Sequence, residues 1–229
     1  AAQYYEYVRF HKQDILSFWL IHIALFDTTF EQLPTPLYDR VGGPFLELIA
    51  LLGKRTAHMH LALGEITDNP DFKPEPFSKL YQRSLYQSLR SNILRNLQSL
   101  QKQRNQLDGD IAELADSVLQ AKKTLQSQLK LINTGSVNGR KIRIHGDYHL
   151  GQVLFTGKDF IIIDFEGEPV KHPSERRLRY SAFRDIAGMI RSFEYAAYSR
   201  FFRQLEVVPE EEEFLYSRAG EWARTVSGI

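Results

Sequence analysis

The segment from Ile144 to Pro169 constrains the fold of this chain more tightly than any other. Lys141-Ile142-Arg143-Ile144 alternates basic and apolar residues with the period of a strand. Val153-Leu154-Phe155 and Phe160-Ile161-Ile162-Ile163 are two further apolar runs, and Thr156-Gly157-Lys158-Asp159 between them supplies a hairpin turn. Asp147 follows the first strand directly, Gln152 leads into the second, and Asp164 ends the third. A strand, a loop and a hairpin in this order bring three oxygen-bearing side chains to one end of a small sheet.

Around this block the apolar spacing is helical. Tyr4 to Phe26 predicts a first helix, followed by a proline-punctuated loop from Leu33-Pro34-Thr35-Pro36 to Val41-Gly42-Gly43-Pro44. Phe45 to Leu63 predicts a second helix, with Leu48, Leu51, Leu52, Ala57, Met59 and Leu63 as its apolar positions and Gly64 past its end, before a loop from Thr67 to Pro76. Residues 77–133 are helical and polar. As one rod they would reach roughly 80 Å, so a break is expected at Leu107-Asp108-Gly109-Asp110, with Gly109 in a left-handed cap and Asp110 and Glu113 as a capping box. Two antiparallel helices should result. Their facing stripes are narrow: Tyr86, Leu89, Ile93, Leu97 and Leu100 on one, Ile111, Leu114, Val118, Leu125, Leu129 and Ile132 on the other. After Ser181 helices return, with Ile186, Met189, Ile190, Phe193 and Ala197 on one face, and Pro209 with Glu210 to Glu213 opening a last one. The fold class is therefore α+β, predominantly α-helical, with a small β-hairpin and a long helical hairpin. We read residues 1–229 as a single lobe, with 77–133 as the helical hairpin and 141–169 as the part that carries chemistry.

Composition narrows the class further. In 229 residues, 43% are hydrophobic and 25% charged, which excludes disorder and low-complexity architectures. The absence of cysteine excludes a disulfide framework, a thiolate zinc site and a thiol nucleophile, and fits a reducing, cytoplasmic setting. Ile15 to Phe26, the longest apolar stretch, is interrupted by Ser17 and His22 and falls short of the roughly 17–25 residues of a spanning helix, so no membrane partner is expected. The opening Ala1-Ala2-Gln3 shows no signal peptide and reads as a cut. Between Lys79 and Lys130 nine Lys and Arg face four acids, yet without interleaved aromatics this reads as a solvated face, and no nucleic-acid partner is expected.

The residue types and their spacing set a chemical expectation. Phosphoryl transfer from ATP requires a carboxylate that orients and deprotonates the attacking hydroxyl, and hard oxygen ligands for magnesium on the phosphates. The spacing of Asp147 and Gln152, five apart, followed by Asp164 after a hairpin, resembles the catalytic-loop and metal-aspartate pattern of kinases. Taken singly, Asp147 could cap a turn and Asp164 could end a strand. His58 and His60, about 200° apart on a helix, cannot share a metal.

His145-Gly146-Asp147 with His149 resembles the aminoglycoside phosphotransferase branch of the kinase-like fold. Gln152 in place of the commoner asparagine, Asp164-Phe165-Glu166-Gly167-Glu168-Pro169, Arg55-Thr56-Ala57 with His60, and Arg184-Asp185-Ile186-Ala187-Gly188-Met189-Ile190-Arg191-Ser192-Phe193 together resemble the maltokinases, which occur alone or fused behind trehalose synthase. The resemblance implies ATP-dependent phosphorylation of maltose to maltose 1-phosphate, with Asp147 as catalytic base and Gln152 and Asp164 holding Mg2+ and the nucleotide. It also implies support from His145, from Glu166 and from Asp185, which would accept backbone hydrogen bonds from the loop. His149, Arg176, Arg177 and Arg179 are candidates to face sugar or phosphate.

Compared with maltokinases the chain begins at about the lobe boundary. No Gly-x-Gly-x-x-Gly and no strand-borne lysine precede the first helix. The expectation is a C-terminal lobe without its N-terminal ATP-binding lobe, and little or no activity from this chain alone. Two other readings stay open: a docking module whose hairpin engages a partner such as a trehalose synthase domain, and a kinase of another sugar, an aminoglycoside or choline.

Overall fold

The computed structural model describes residues 42–135, 137–205 and 212–229. In chain order its elements are α1 (Gly43–Glu65), β1 (Glu75–Pro76), α2 (Lys79–Gln103), α3 (Gly109–Gln120), α4 (Lys122–Lys130), β2 (Arg140–Lys141), β3 (Val153–Phe155), β4 (Phe160–Ile162), α5 (Pro173–Arg176), α6 (Phe183–Leu205) and α7 (Glu212–Gly228). The helix expected over 4–26 and most of the following proline-rich loop lie outside the described residues, as does Pro209. The chain forms two compact units. One runs from Glu75 to Lys141, and the other takes the sequence on either side of it.

In the flanking unit, α1, α6 and α7 share one apolar core. Leu46, Ile49 and Leu52 meet Met189, Phe193 and Ala197, with Leu215, Ala219, Trp222, Ala223 and Val226 from α7 and Tyr148 from the loop after Ile144. Trp222 stacks on Phe45 at 5.9 Å between ring centroids and receives Phe193 edge-on at 6.4 Å. The stripe expected on α1 is corrected. Its buried face is Leu46, Ile49, Leu52, Thr56 and His60, of which the apolar reading held only Leu52. Thr56 and His60 fall on the same helical period as the leucines, but both are polar and are buried because each has a partner across the core. Gly64 lies inside the last turn of α1, not past it.

β3 and β4 pair antiparallel in the register Val153 with Ile162, Leu154 with Ile161 and Phe155 with Phe160. Their turn closes by the Thr156 N–H donating to Asp159 O at 2.8 Å, as the sequence predicts. The strand expected over 141–144 is shorter. Only β2 forms a ladder, with β1, and Ile142 makes an isolated bridge to Tyr180. Its alternation survives, with Ile142 and Ile144 buried and Arg143 half-buried.

In the other unit, α2 runs out and α3 and α4 return. The Gln82 amide near the start of α2 donates to Ile132 O and Gly135 O at 3.3 and 3.2 Å, while Arg104 just past its end forks onto Asp116 at 2.6 Å. The return is two helices, since Ala121 has ψ −4° and opens the ladder. The N-cap is Asp108, extended and without a side-chain cap bond, and Gly109 (φ 55°) is left-handed, so the cap lies two residues before the expected Asp110. The stripe on α3 is also corrected. Ala112 and Ala115 are buried, whereas Ile111, Leu114 and Val118 are exposed. Small residues let two backbones approach closely, and the larger apolar ones then fall outside the seam.

Candidate functional site

The loop after Ile144 is fixed through its backbone. Asp185, 2% exposed in the first turn of α6, accepts the N–H of His145 on Oδ2 at 2.8 Å and that of Gly146 on Oδ1 at 2.9 Å, and His60 Nε2 lies 2.9 Å from Oδ2. The His145 ring, almost fully buried, works on both sides. Nε2 lies 2.8 Å from Ile163 O, and since a carbonyl only accepts, this nitrogen carries the proton. Nδ1 is then free to accept the Asp147 N–H at 3.3 Å. One neutral imidazole thus joins the residue that bears the Asp147 carboxylate to the peptide immediately before Asp164. Tyr148 and Phe165 rings hold it, with centroids at 5.3 and 4.9 Å.

Gly146 is needed for two reasons. Its φ is 86°, and a Cβ there would lie 3.4 Å from the Gly167 Cα. Asp164, with φ 64°, is the single non-glycine residue at positive φ among the described residues. Left-handed backbone is uncommon for a residue with a side chain, and such conformations cluster at functional sites. Across the base of the hairpin the Gln152 amide donates to Asp164 Oδ2 at 3.1 Å, and the backbone reinforces the pairing because Ile163 N–H donates to Gln152 O at 3.0 Å. With its NH2 turned to Asp164, Gln152 keeps an amide oxygen for a ligand. The Asp147 carboxylate is half-buried and takes no hydrogen bond from the described residues.

Among the described residues no group of three or more His, Cys, Asp or Glu is placed to hold a metal. A hard cation needs less from the protein when phosphates supply further oxygens. One carboxylate and one amide oxygen fit magnesium in that mode, and Glu166 is exposed nearby in sequence.

The other candidates have structural partners. His149 caps the short 3-10 turn Leu150–Gln152, its Nδ1 accepting the Gly151 N–H at 3.0 Å. Arg176 spends its guanidinium on Lys171 O (2.8 Å) and Pro169 O (2.7 Å) while its stem covers Gly167. Arg179 donates to Lys73 O at 2.6 Å and to Pro70 O. Arg177 is exposed, and together burial and the charges of Arg177 and Arg179 lower the pKa of Arg143.

Several residues that organise the site carried no role in the sequence reading. On α6, Ser192 Oγ accepts the Leu150 N–H at 3.0 Å, and Gly188 lets the Tyr148 carbonyl approach to where a Cβ would be 2.7 Å away. Asp185, Gly188 and Ser192 are spaced three and four apart, one face of a helix presenting small or polar groups to one loop. On α1, Thr56 meets the Tyr148 hydroxyl at 2.7 Å, and Arg55 forks onto Asp159 at 2.8 and 2.9 Å. Burial pushes the Tyr148 phenol up, and Arg55 holds the Asp159 carboxyl at about 2. The available signal was polar residues recurring at the helical period of the core.

Among the described residues no helix is long and apolar enough to cross a membrane. Residues 8–173 match the model of the phosphotransferase enzyme family. Among curated proteins, a glucosamine kinase of Streptacidiphilus jiangxiensis is 35% identical over 68 residues, 30% of this chain and 16% of the relative. One of Mycolicibacterium smegmatis is 44% identical over 54 residues, 23% of this chain and 13% of the relative. Among solved structures, a glucosamine kinase in complex with glucosamine, ADP and inorganic phosphate superimposes with a TM-score of 0.59 at 21% identity, covering 80% of this chain and 39% of that one. A second crystal form gives 0.58 at 20%, covering 83% and 41%. The chain thus spans about two fifths of the solved relatives it matches.

Proposed function

The chain belongs to the phosphotransferase enzyme family, and from that premise we propose that it carries the acceptor and metal side of an ATP-dependent sugar kinase. The observation that supports this most is the Asp147 carboxylate. Among the described residues it takes no hydrogen bond, and it sits on a backbone held by Asp185 and His145, one imidazole away from the hairpin that pairs Gln152 with Asp164. In this reading Asp147 orients the sugar hydroxyl and takes its proton as the phosphoryl group is transferred. Gln152 and Asp164 offer one amide and one carboxylate oxygen to magnesium, which when bound neutralises charge on the phosphates. Asp185, His145 and Ser192 touch no substrate and hold the loop. Glu166, exposed two residues after Asp164, would be available to a water on the metal. His149, Arg176 and Arg179 have scaffold partners and are not assigned to the sugar.

For the acceptor we propose maltose at its anomeric hydroxyl, on the combined maltokinase-like motifs. A second acceptor, glucosamine, is favoured by the local matches to glucosamine kinases. The chain spans about two fifths of the solved relatives it matches, and on the proposal that it supplies the acceptor and metal side alone, the isolated chain is expected to be inactive. The deciding experiment incubates the full-length protein with ATP, magnesium and a panel of maltose, glucosamine, glucose and an aminoglycoside, with Asp147→Asn alongside. Transfer to one sugar, reduced by about 100-fold or more in Asp147→Asn with the fold intact, is expected. Absence of transfer to every sugar, or full activity in the variant, would overturn the reading.

A further inference from the structure

The Arg55-Thr56 and His60 motif on α1 has no part in the chemistry above, yet each of its three side chains reaches a different piece of the site. Arg55 makes a two-pronged bond to Asp159 at the tip of the β3–β4 hairpin, whose other end carries Gln152 and Asp164. Thr56 bonds the side chain of Tyr148, the residue after Asp147. Its single hydroxyl proton goes to Leu52 O at 2.9 Å, so at 2.7 Å the Tyr148 hydroxyl is the donor and Thr56 Oγ1 the acceptor. His60 gives its Nε2 to Asp185 Oδ2, the same oxygen that holds the His145 N–H. Thr56 and His60 stand one turn apart on the buried face of α1, and Arg55 flanks them at the rim.

Resting on the phosphotransfer reading, we propose that Arg55, Thr56 and His60 are positioning residues, a three-point brace by which one helix sets the catalytic loop, the metal-side hairpin and the Asp185 carboxylate in a common frame. Its physical basis is that the loop, the hairpin and α6 each have short-range bonds of their own but are separate in sequence. A rigid helix bonded to all three over about 8 Å of its length removes the freedom of the pieces to slide. His60 has the largest effect. With it gone, the Asp185 carboxylate loses one of three donors and can rotate, loosening the two N–H groups just before Asp147. Catalysis tolerates little of this, since a displacement of about 1 Å at reacting groups costs on the order of 100-fold.

The test uses the full-length protein carrying His60→Ala, His60→Gln and Thr56→Val, assayed well below the melting temperature. Glutamine places a donor near the imidazole Nε2. Expected for His60→Ala are a kcat about 10–100-fold lower with sugar KM within about two-fold, and roughly ten-fold faster hydrogen exchange at the His145 and Gly146 amides while exchange in α7 stays unchanged. His60→Gln should restore both to within about three-fold, and Thr56→Val should lower kcat without the change at those amides. Unchanged kcat and unchanged exchange in His60→Ala, loss tracking only the unfolded fraction, or no rescue by glutamine would overturn the brace. If the wild type transfers phosphate to no sugar, the phosphotransfer reading fails on its own, and the exchange measurements still decide whether His60 holds the loop.

Discussion

Gly188→Ala tests how closely α6 supports the loop. A Cβ at 188 would meet the Tyr148 carbonyl oxygen at 2.7 Å, whereas an ordinary carbon–oxygen contact needs about 3.3 Å, so helix and loop must part by roughly 0.6 Å. That oxygen is backbone, anchored by Asp185 behind it and Ser192 ahead of it, so no side-chain rotation relieves the contact. Forcing atoms into such a place costs about 1–3 kcal/mol, against which alanine gains about 0.8–1 kcal/mol of helix propensity. Gly53 in α1 supplies the control, because it is exposed and nothing lies within 4 Å of a Cβ built there. Gly53→Ala should stabilise by about 0.5–1 kcal/mol. The difference between the two variants cancels propensity and isolates the clash at about 1–3 kcal/mol, read from urea unfolding of both chains at equal m-value. In the full-length protein the same 0.6 Å should cost about ten-fold in kcat. Gly188→Ala as stable as Gly53→Ala, with unchanged turnover, would refute the close approach.

Asp164→Asn should abolish most activity yet leave stability within about 0.5 kcal/mol, because asparagine tolerates the left-handed backbone, whereas Asp164→Ala should also lose about 1 kcal/mol or more; thermal melts beside activity assays separate the two. Arg55 holds Asp159 at about 2 against an ordinary 3.8. A carboxyl lowered on folding contributes its full stability above its unfolded pKa and loses that contribution as pH falls toward the folded value. The stability gap between wild type and Asp159→Asn should therefore be flat from about pH 5 to 7 and close between about pH 4 and 2, and urea titrations at each pH measure it. In the helical hairpin, Ala115→Leu should cost about 1–3 kcal/mol by overpacking the seam. Leu114→Ser, on a side chain that is 65% exposed, should stay within about 0.5 kcal/mol; equal losses in denaturant unfolding would return the seam to the larger apolar residues.

The local geometry of the loop and hairpin was legible because its contacts are short in sequence. His145 to Ile163 spans 18 residues and Gln152 to Asp164 spans 12, and strand period, turn residues and carboxylate spacing all encode such local arrangements. The bond from His60 to Asp185 spans 125 residues, and no local pattern reports a partner so distant. Apolar counting then erred for a physical reason. It assigns the inner face of a helix to large hydrophobes, but α1 buries Thr56 and His60 against partners, and α3 buries Ala112 and Ala115 while Ile111 and Leu114 stay exposed. The break at Ala121 was hidden because alanine and lysine both favour continuation of a helix.

The division of labour within the site follows from what each group must do. In the proposed reading Asp147 takes a proton from a sugar; a carboxylate with that task cannot be committed to scaffold donors, and this one has none among the described residues. Its position has to be set some other way, and here it is set through the backbone on either side: Asp185 on the two preceding N–H groups, His145 on its own N–H, Ser192 on that of Leu150. The scaffold groups, in contrast, are among the most buried polar side chains of the described residues. Asp185 and His145 are 2% and 1% exposed, and burial of this degree is tolerated because nearly every acceptor and donor is matched. A largely bonded polar core next to a carboxylate without a bond from the described residues is costly to assemble for packing alone. It is what a site requires when one reactive group must stay free and still be held to within a fraction of an ångström.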